Sequence, residues 1–470
     1  MSQLSALRKT TSLSELASLL DIKPAMLSYQ LYKISVENRY SKFEIPKKHG
    51  GIREIFAPAK NLKLIQYRLS QLLQNCAEEI RAGHNHAESK EHYGIAHGFK
   101  RNHSILTNAQ MHKTKRFVFN VDLKDFFGSI NFGRVRGFFI KDKNFSLHPT
   151  VATVLAQIAC HENKLPQGSP CSPAISNLIG HVLDILLVRL AAKTGCTYTR
   201  YADDLTFSSN KKLFPSSVAK QTAIDGHIWT VGSELNRLVL KSGFSFNESK
   251  TRMQYRDSRQ EVTGLTVNRK INSTKDYRYT VRAMVHSLIS KGTFEYINNA
   301  KDAEGVAAVK KEIGNSKKLR GMLAFIDQVD QYNIQMYKGE HPTPPASASR
   351  EKLYRQFILF DSFYSTKLPA IICEGDTDNV YLAHAIHRLA VIYPNLAIKE
   401  PSDKFKLNIR LHKYSNKTTS RILKMQGGTG QLASFITEYC KQIAGFKAPG
   451  AIHPVIVLID NDKGKSNVWN

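Results

Sequence analysis

Two adjacent aspartates, Asp203 and Asp204, interrupt the stretch CTYTRYADDLTFSS (Cys196–Ser209), which is otherwise rich in Tyr, Thr, Leu and Phe. Those residue types favour extended backbone on both sides, so the stretch predicts a β-hairpin with the carboxylates at its tip. Upstream, RFVFNVDLKDFF (Arg116–Phe127) alternates over its first half, as a strand does, and ends near Asp122. All three aspartates therefore fall at or just beyond a predicted strand. If the fold gathers those strand ends, three like charges come together, and each pair at 4 Å costs about 4 kcal/mol at an effective dielectric near 20. A solvated hairpin tip avoids the cost, since Asp tolerates tight turns. Divalent cations offset it: Mg²⁺ takes carboxylate and phosphate oxygens. Two Mg²⁺ ions about 3.5–4 Å apart can activate a hydroxyl and hold a leaving pyrophosphate.

The rest of the chain makes the second possibility meaningful. Lys and Arg number 67 against 39 Asp and Glu, a net charge of +28 over 470 residues. Such an excess suits a polyanion, because binding phosphates releases counterions. A basic membrane-surface protein is the alternative, but no apolar run reads as a bilayer span and the N-terminus lacks a signal-peptide core. Residues of hydrophobic type make up 42%, enough for the two to four domains that the length suggests. None of the six cysteines forms a C-x-x-C pair, so reduced thiols in a cytoplasmic protein are expected and a zinc site is not. His84, His86 and His92 lack a Cys or carboxylate at a familiar ligand spacing and read as a polar loop.

Ser12 and Glu15 form a capping box before a helix, FEIPKKHGGIREIFAP (Phe43–Pro58) reads as a basic hairpin, and LKLIQYRLSQLL (Leu62–Leu73) as a helix. Between Asp122 and Asp203 lies LPQGSPCSPAISNL (Leu165–Leu178). A strand-borne aspartate, a Gln-Gly loop leading into a helix, then a Tyr-x-Asp-Asp hairpin in this order resemble the palm of reverse transcriptases. The resemblance implies a right-hand α+β polymerase: N-terminal helices and fingers over 1–115, a palm with a split βαβ sheet over 116–270 and a helical thumb over 271–335. Asp122, Asp203 and Asp204 would be ligands of two Mg²⁺, with dNTPs as substrates. Gln167 and Gly168 would line the incoming nucleotide. Phe127, or its neighbour Phe126, would exclude a ribose 2′-OH; either ring could equally be core. Arg53, with Lys47 and Lys48, could meet the triphosphate, and Lys250 in NESKTR could protonate pyrophosphate. Singly, each of these basic residues also fits an ordinary solvated surface.

NAQMH (Asn108–His112) and VTG (Val262–Gly264) resemble the Asn-Ala-x-x-His and Val-Thr-Gly elements of retron reverse transcriptases. That resemblance makes Asn108, His112, Val262, Thr263 and Gly264 candidate RNA-binding residues. It implies an enzyme that copies its own structured noncoding RNA, starting from an internal guanosine 2′-OH, into multicopy single-stranded DNA (msDNA) that stays bound. Other bacterial reverse transcriptases, of group II intron or diversity-generating type, and a binding scaffold with vestigial catalysis are the rivals. The sequence leaves a homo-oligomer open.

GEHPTPPASASR (Gly339–Arg350) falls in an expected linker over 336–367. Beyond it, PAIICEG and HPVIVLIDND are short apolar strands with helical stretches between them, the pattern of an α/β unit with a parallel sheet. Glu374 follows the first strand; Asp460 and Asp462 follow the second and, two residues apart, can point the same way. Asp376 or Asp378 can cap a helix. Gly427–Gly430 is a turn that either approaches a phosphate or is a plain loop. Glu-Gly-x-x-Asp followed by Asp-x-Asp resembles the Toprim domain, here over 368–470. This implies one or two further Mg²⁺ on Asp460 and Asp462, Glu374 as ligand or general acid/base, and an anti-phage toxin–antitoxin nuclease restrained by the RNA–DNA hybrid. The chain ends eight residues after Asp462, so an incomplete Toprim sheet is expected.

Overall fold

The computed structural model describes residues 2–47, 51–83, 95–222, 227–301, 307–337, 345–400, 405–413, 417–425 and 427–461. The chain forms two compact units, Met1–Asn272 and Ser273–Asn470.

In the first unit, α1 (Gln3–Lys9), α2 (Leu13–Leu19) and α3 (Pro24–Tyr32) lead into the hairpin β1 (Tyr40–Pro46) and β2 (Ile52–Pro58). Ser12 caps α2 by accepting from the Glu15 amide. The long helix α4 (Lys60–Gly83) and the short α5 (Ile105–Met111) follow. Next come β3 (Phe117–Asp122) and three helices, α6 (Phe132–Lys141), α7 (Pro149–Ala159) and α8 (Ser172–Thr194). Then β4 (Thr197–Tyr201) and β5 (Asp204–Ser209) close the Tyr-Ala-Asp-Asp hairpin, and the small hairpin β6–β7 (Ala219–Gln221, Trp229–Val231) leads to α9 (Ser233–Lys241). After β8 (Arg252–Tyr255), β9 (Glu261–Val262) and β10 (Leu265–Thr266) pair across Thr263-Gly264. One antiparallel sheet takes the order β4-β5-β3-β8, and Asp122 is registered directly opposite Asp204. Alternate residues Phe119 and Val121 of β3 enter a core shared with α4 and α6 to α9, and Val118, on the opposite face of the strand, is buried as well.

Helix α8 corrects one sequence expectation. By length and composition it could cross a membrane, its most apolar stretch reaching a mean hydropathy of 1.6. Here Ile175, Ile179, Leu183 and Leu187 enter the core of the first unit, and its one acid, Asp184, is buried against Arg200.

The second unit opens with α10 (Lys275–Lys291). A hairpin follows, β11 (Glu295–Lys301) and β12 (Ala307–Ile313), within a stretch expected to be helical. Cross-strand contacts outweigh the helix propensity of its alanines: Tyr296 and Glu312 are register partners, and the Tyr296 hydroxyl donates to the Glu312 carboxylate at 2.6 Å. After α11 (Ser316–Met336), α12 (Pro345–Leu359) continues into a π-turn over Phe360–Tyr364. Residues 345–364 thus differ from the linker expected over 336–367. Tyr354, Phe357, Phe360 and Phe363 are too apolar to stay in solvent and pack in one core with Val285, Leu323, Ile372 and Phe435. Residues 338–344 of the expected linker lie outside the described residues.

In the C-terminal part, β13 (Ala370–Cys373), α13 (Asp376–Leu389), the pair β14–β15 (Ala397–Lys399, Phe405–Leu407), β16 (Arg410–Leu411), α14 (Lys417–Leu423), α15 (Thr429–Ile443) and β17 (Val455–Leu458) follow in order. Strands β16-β13-β17 form a parallel sheet, the arrangement that alternating strands and helices imply.

Candidate active site

The first acidic centre is made by backbone register. Tyr201 pairs with Asp204, so Ala202 and Asp203 form a two-residue turn, with Ala202 at φ +56°. The Leu123 amide donates to the Asp203 carbonyl at 2.9 Å and the Asn247 amide to the Asp122 carbonyl at 2.8 Å. Asp122, Asp203 and Asp204 are thereby brought to one end of the sheet, with the Lys250 segment beside them. Asp122 is 5% exposed, so its charge needs a partner. Lys250 Nζ supplies one, donating to Asp122 Oδ2 at 2.8 Å.

The electrostatics are those of crowded like charges. Loss of solvation and then the charge of Asp122 raise the Asp203 carboxyl above its usual range. Partial desolvation, followed by the charges of Asp203 and Asp122, pushes Asp204 up to about 7, although this residue still reaches solvent. Desolvation opposes protonation of Lys250, yet the hydrogen bond to Asp122 and the three carboxylates raise it overall. Among the described residues, no three His, Cys, Asp or Glu side chains are closed into a ready metal cluster. The donor set nevertheless fits Mg²⁺: it is all oxygen, mutually repelling, and already holds one cationic group.

Arg53, exposed on β2, lowers the Asp203 pKa through its charge. Lys47 is exposed at the end of the hairpin, and Lys48 lies outside the described residues, as do His84, His86 and His92. The Phe56 amide donates to the Gln167 carbonyl at 2.7 Å, docking the Gln-Gly loop on β2. Gly168 has φ +115°, and a Cβ there would sit 2.6 Å from the Phe56 carbonyl, so only glycine fits. Phe126 is 3% exposed and stacks on Phe244 at 5.5 Å, a core ring. Phe127 is half-buried and meets the exposed Phe99 at 6.1 Å.

The proposed RNA contacts need correction. Asn108 and His112 are 1% and 0% exposed. His112 Nδ1 lies 2.7 Å from Ser208 Oγ and Nε2 lies 2.7 Å from Thr199 Oγ1, while Thr199 donates to Asn108 Oδ1 at 2.7 Å. With every polar atom of the ring engaged inside the protein, these side chains tie α5 to β4 and β5 and do not meet RNA. Burial holds the imidazole neutral, its pKa lowered to about 3. Val262 is also fully buried. Thr263 Oγ1 donates to the Ile105 carbonyl at 3.3 Å, and Gly264 alone of the three is exposed.

Sequence reasoning missed the socket beneath the hairpin. Arg200 is fully buried, its Nε and Nη2 donating to both oxygens of Asp184 at 2.8 and 2.7 Å. An arginine in a polar-looking strand gives no sign of burial, and its partner lies on a separate helix.

The second acidic centre belongs to the other unit. Glu374 follows β13, and its Oε2 accepts from the Asp460 amide at 3.2 Å. The Gly428 amide donates to the Glu374 carbonyl at 3.3 Å, so the glycine turn leans on the same point. Asp378 Oδ2 accepts from the Gly375 amide at 2.8 Å, the helix-capping role. Asp462 lies outside the described residues.

Residues 45–280 match the family model for reverse transcriptase (RNA-dependent DNA polymerase). The Retron Mx65 reverse transcriptase of Myxococcus xanthus is 36% identical over 265 residues, covering 53% of this chain and 55% of that protein. The Retron Mx162 reverse transcriptase of the same organism is 32% identical over 319 residues, covering 63% and 59%. The chain thus spans little more than half the length of these two relatives. A solved telomerase from Candida albicans, in complex with a fragment of telomeric RNA, aligns over 88% of this chain and 66% of that one at 10% identity, with a TM-score of 0.37, too low to carry an argument.

Proposed function

The chain belongs to the reverse transcriptase family, and from that premise we propose that it is a retron-type RNA-directed DNA polymerase with a C-terminal Toprim-like nuclease. It copies its own structured noncoding RNA, from an internal guanosine 2′-OH, into msDNA in the cytoplasm. One observation carries the polymerase reading: Asp122 and the Asp203-Asp204 pair, distant in sequence, meet at one sheet end beside Lys250. Asp122, Asp203 and Asp204 would hold two Mg²⁺. When bound, the metal lowers the barrier to hydroxyl attack and neutralises charge on the leaving pyrophosphate.

The chain's own groups supply the rest. Arg53 takes triphosphate oxygens as a planar donor. The Gln167-Gly168 backbone, fixed on β2, borders the nucleotide, and Phe127 fills the space a ribose 2′-OH needs. Lys250, now on Asp122, would be freed if cations took that carboxylate, and would then be placed to deliver a proton to pyrophosphate. In the C-terminal unit, the meeting of Glu374 with the Asp460 amide favours the Toprim-like reading. There Glu374, Asp460 and Asp462 would hold one or two Mg²⁺, and the bound RNA–DNA restrains the nuclease until phage activity disturbs it.

Primer extension on an RNA template tests the polymerase part. Mg²⁺-dependent dNTP incorporation that Asp203→Asn or Asp204→Asn abolishes supports it. RNA binding without incorporation at any Mg²⁺ or Mn²⁺ concentration favours a scaffold with vestigial catalysis.

A further inference from the structure

The turn that carries Asp203 is held in an unfavourable conformation by a buried cation. Ala202, between Tyr201 and Asp203, has φ +56°, a region in which a non-glycine residue needs outside support. Support comes from beneath. Arg200 Nη1 donates to the Ala202 carbonyl and to Asn177 Oδ1, both at 3.2 Å. The remaining guanidinium edge is locked on Asp184, whose Oδ1 also accepts from the Tyr198 hydroxyl at 2.9 Å. Helix α8 makes room for this group only because residue 180 is glycine; a Cβ there would lie 2.9 Å from Arg200 Cζ. From the other side, Gly98 packs so closely that a Cβ would lie 2.6 Å from the Ala202 amide nitrogen, and Asn177 Nδ2 donates to the Gly98 carbonyl at 2.7 Å. Asn177 therefore ties the two supports together.

We propose that Arg200 is a positioning residue: its guanidinium, fixed by Asp184 and Asn177, sets the Ala202 turn and thereby the place of the Asp203 carboxylate relative to Asp122. An ion pair needed only for stability would use Asp184 alone. Here a separate donor is aimed at the one backbone carbonyl between the strand and the catalytic aspartate. The inference rests on the reading of Asp203 as a catalytic metal ligand, but the state of the turn can be measured without catalysis.

The test uses the full chain with Arg200→Lys, which keeps the charge but cannot serve Asp184, Asn177 and Ala202 together. Gly180→Ala is the second variant; it keeps every hydrogen-bonding group and displaces the guanidinium. Hydrogen exchange reads the Leu123 amide, bonded to Asp203, against helix α7 as an internal control. Mn²⁺ binding by electron paramagnetic resonance and the Mg²⁺ concentration for half-maximal primer extension, per active site, complete the set. The expected result is at least tenfold faster exchange at Leu123 with α7 unchanged, and roughly tenfold weaker Mn²⁺ and Mg²⁺ dependence, with the dNTP KM within twofold of wild type. Gly180→Ala shifts the same readouts in the same direction, and decides the matter if Arg200→Lys does not fold. Uniformly faster exchange with unchanged metal dependence overturns the proposal, leaving Arg200 a stability element. If wild type itself never extends a primer, the catalytic reading fails, and the Leu123 exchange and Mn²⁺ data still judge the brace.

Discussion

Removing the His112 side chain should unfold the first unit far more readily without a separate effect on RNA affinity. Thr199 gives its hydroxyl proton to Asn108, so it accepts from His112 Nε2–H, and Nδ1 then accepts from the Ser208 hydroxyl. In His112→Ala, Ser208 loses its ring partner inside the core, costing about 1–3 kcal/mol. The cavity left by a fully buried side chain adds about 2 kcal/mol or more. A total on the order of 3–5 kcal/mol is expected. The pH dependence gives a second handle. His112 has a folded pKa lowered to about 3 by burial, against 6.5 for the free side chain. Between those values the unfolded chain binds the extra proton, so stability falls as pH drops below about 6.5, by about 1.4 kcal/mol per unit for this residue. His97, lowered to about 4, contributes to the same window in both proteins, so the difference between wild type and variant isolates His112. Urea unfolding followed by Trp229 fluorescence, in a Trp469→Phe background, measures this in the first unit; the Trp229 indole donates to Tyr255 within it at 2.7 Å. A cost under about 1 kcal/mol, an unchanged acid slope, or weakened RNA binding by a stably folded variant would refute the argument.

Three other outcomes are expected. Lys250→Ala frees Asp122 and removes the proton donor, so single-turnover incorporation should slow on the order of 10²-fold without loss of Mn²⁺ binding; an unchanged rate removes Lys250 from the mechanism. Phe127→Ala should narrow the preference for dNTP over rNTP on the order of 10–100-fold, whereas Phe126→Ala should chiefly destabilise, because Phe126 is core; competitive incorporation assays and thermal unfolding distinguish them. Glu374→Gln should abolish metal-dependent nuclease activity while leaving primer extension intact, and equal loss of both activities contradicts two separate acidic centres.

The parts of this protein written in local pattern were legible. Alternation and turn chemistry marked β1–β2, β3 and the β4–β5 hairpin and so placed Asp122, Asp203 and Asp204 at strand ends; that those ends gather was implied by the order of the motifs, and the register of β3 and β5 brings it about. What depended on distant pairing was not. Arg200 looks like a solvated strand residue until Asp184, on another element, turns it inward. Asn108 and His112 were legible as a motif but not in sense: the resemblance suggested RNA, and burial behind the hairpin assigns them to the protein's own strands. Residues 345–364 follow a Pro- and Ser-rich stretch, yet their aromatic rings pull them into a core that also draws on α10, α11, β13, α14 and α15. In the C-terminal unit, the parallel β13–β17 pair was foreseen from two apolar runs, and the meeting of Glu374 with Asp460 follows from it.

The central claim is tested most directly by the nucleic acid that co-purifies when the protein is expressed with its neighbouring noncoding locus. Wild type is compared with Asp203→Asn/Asp204→Asn after RNase, DNase and debranching-enzyme treatment. A small DNA joined to RNA through a debranchable bond, present in wild type and absent from the variant, is the predicted result. RNA alone with both proteins would contradict it.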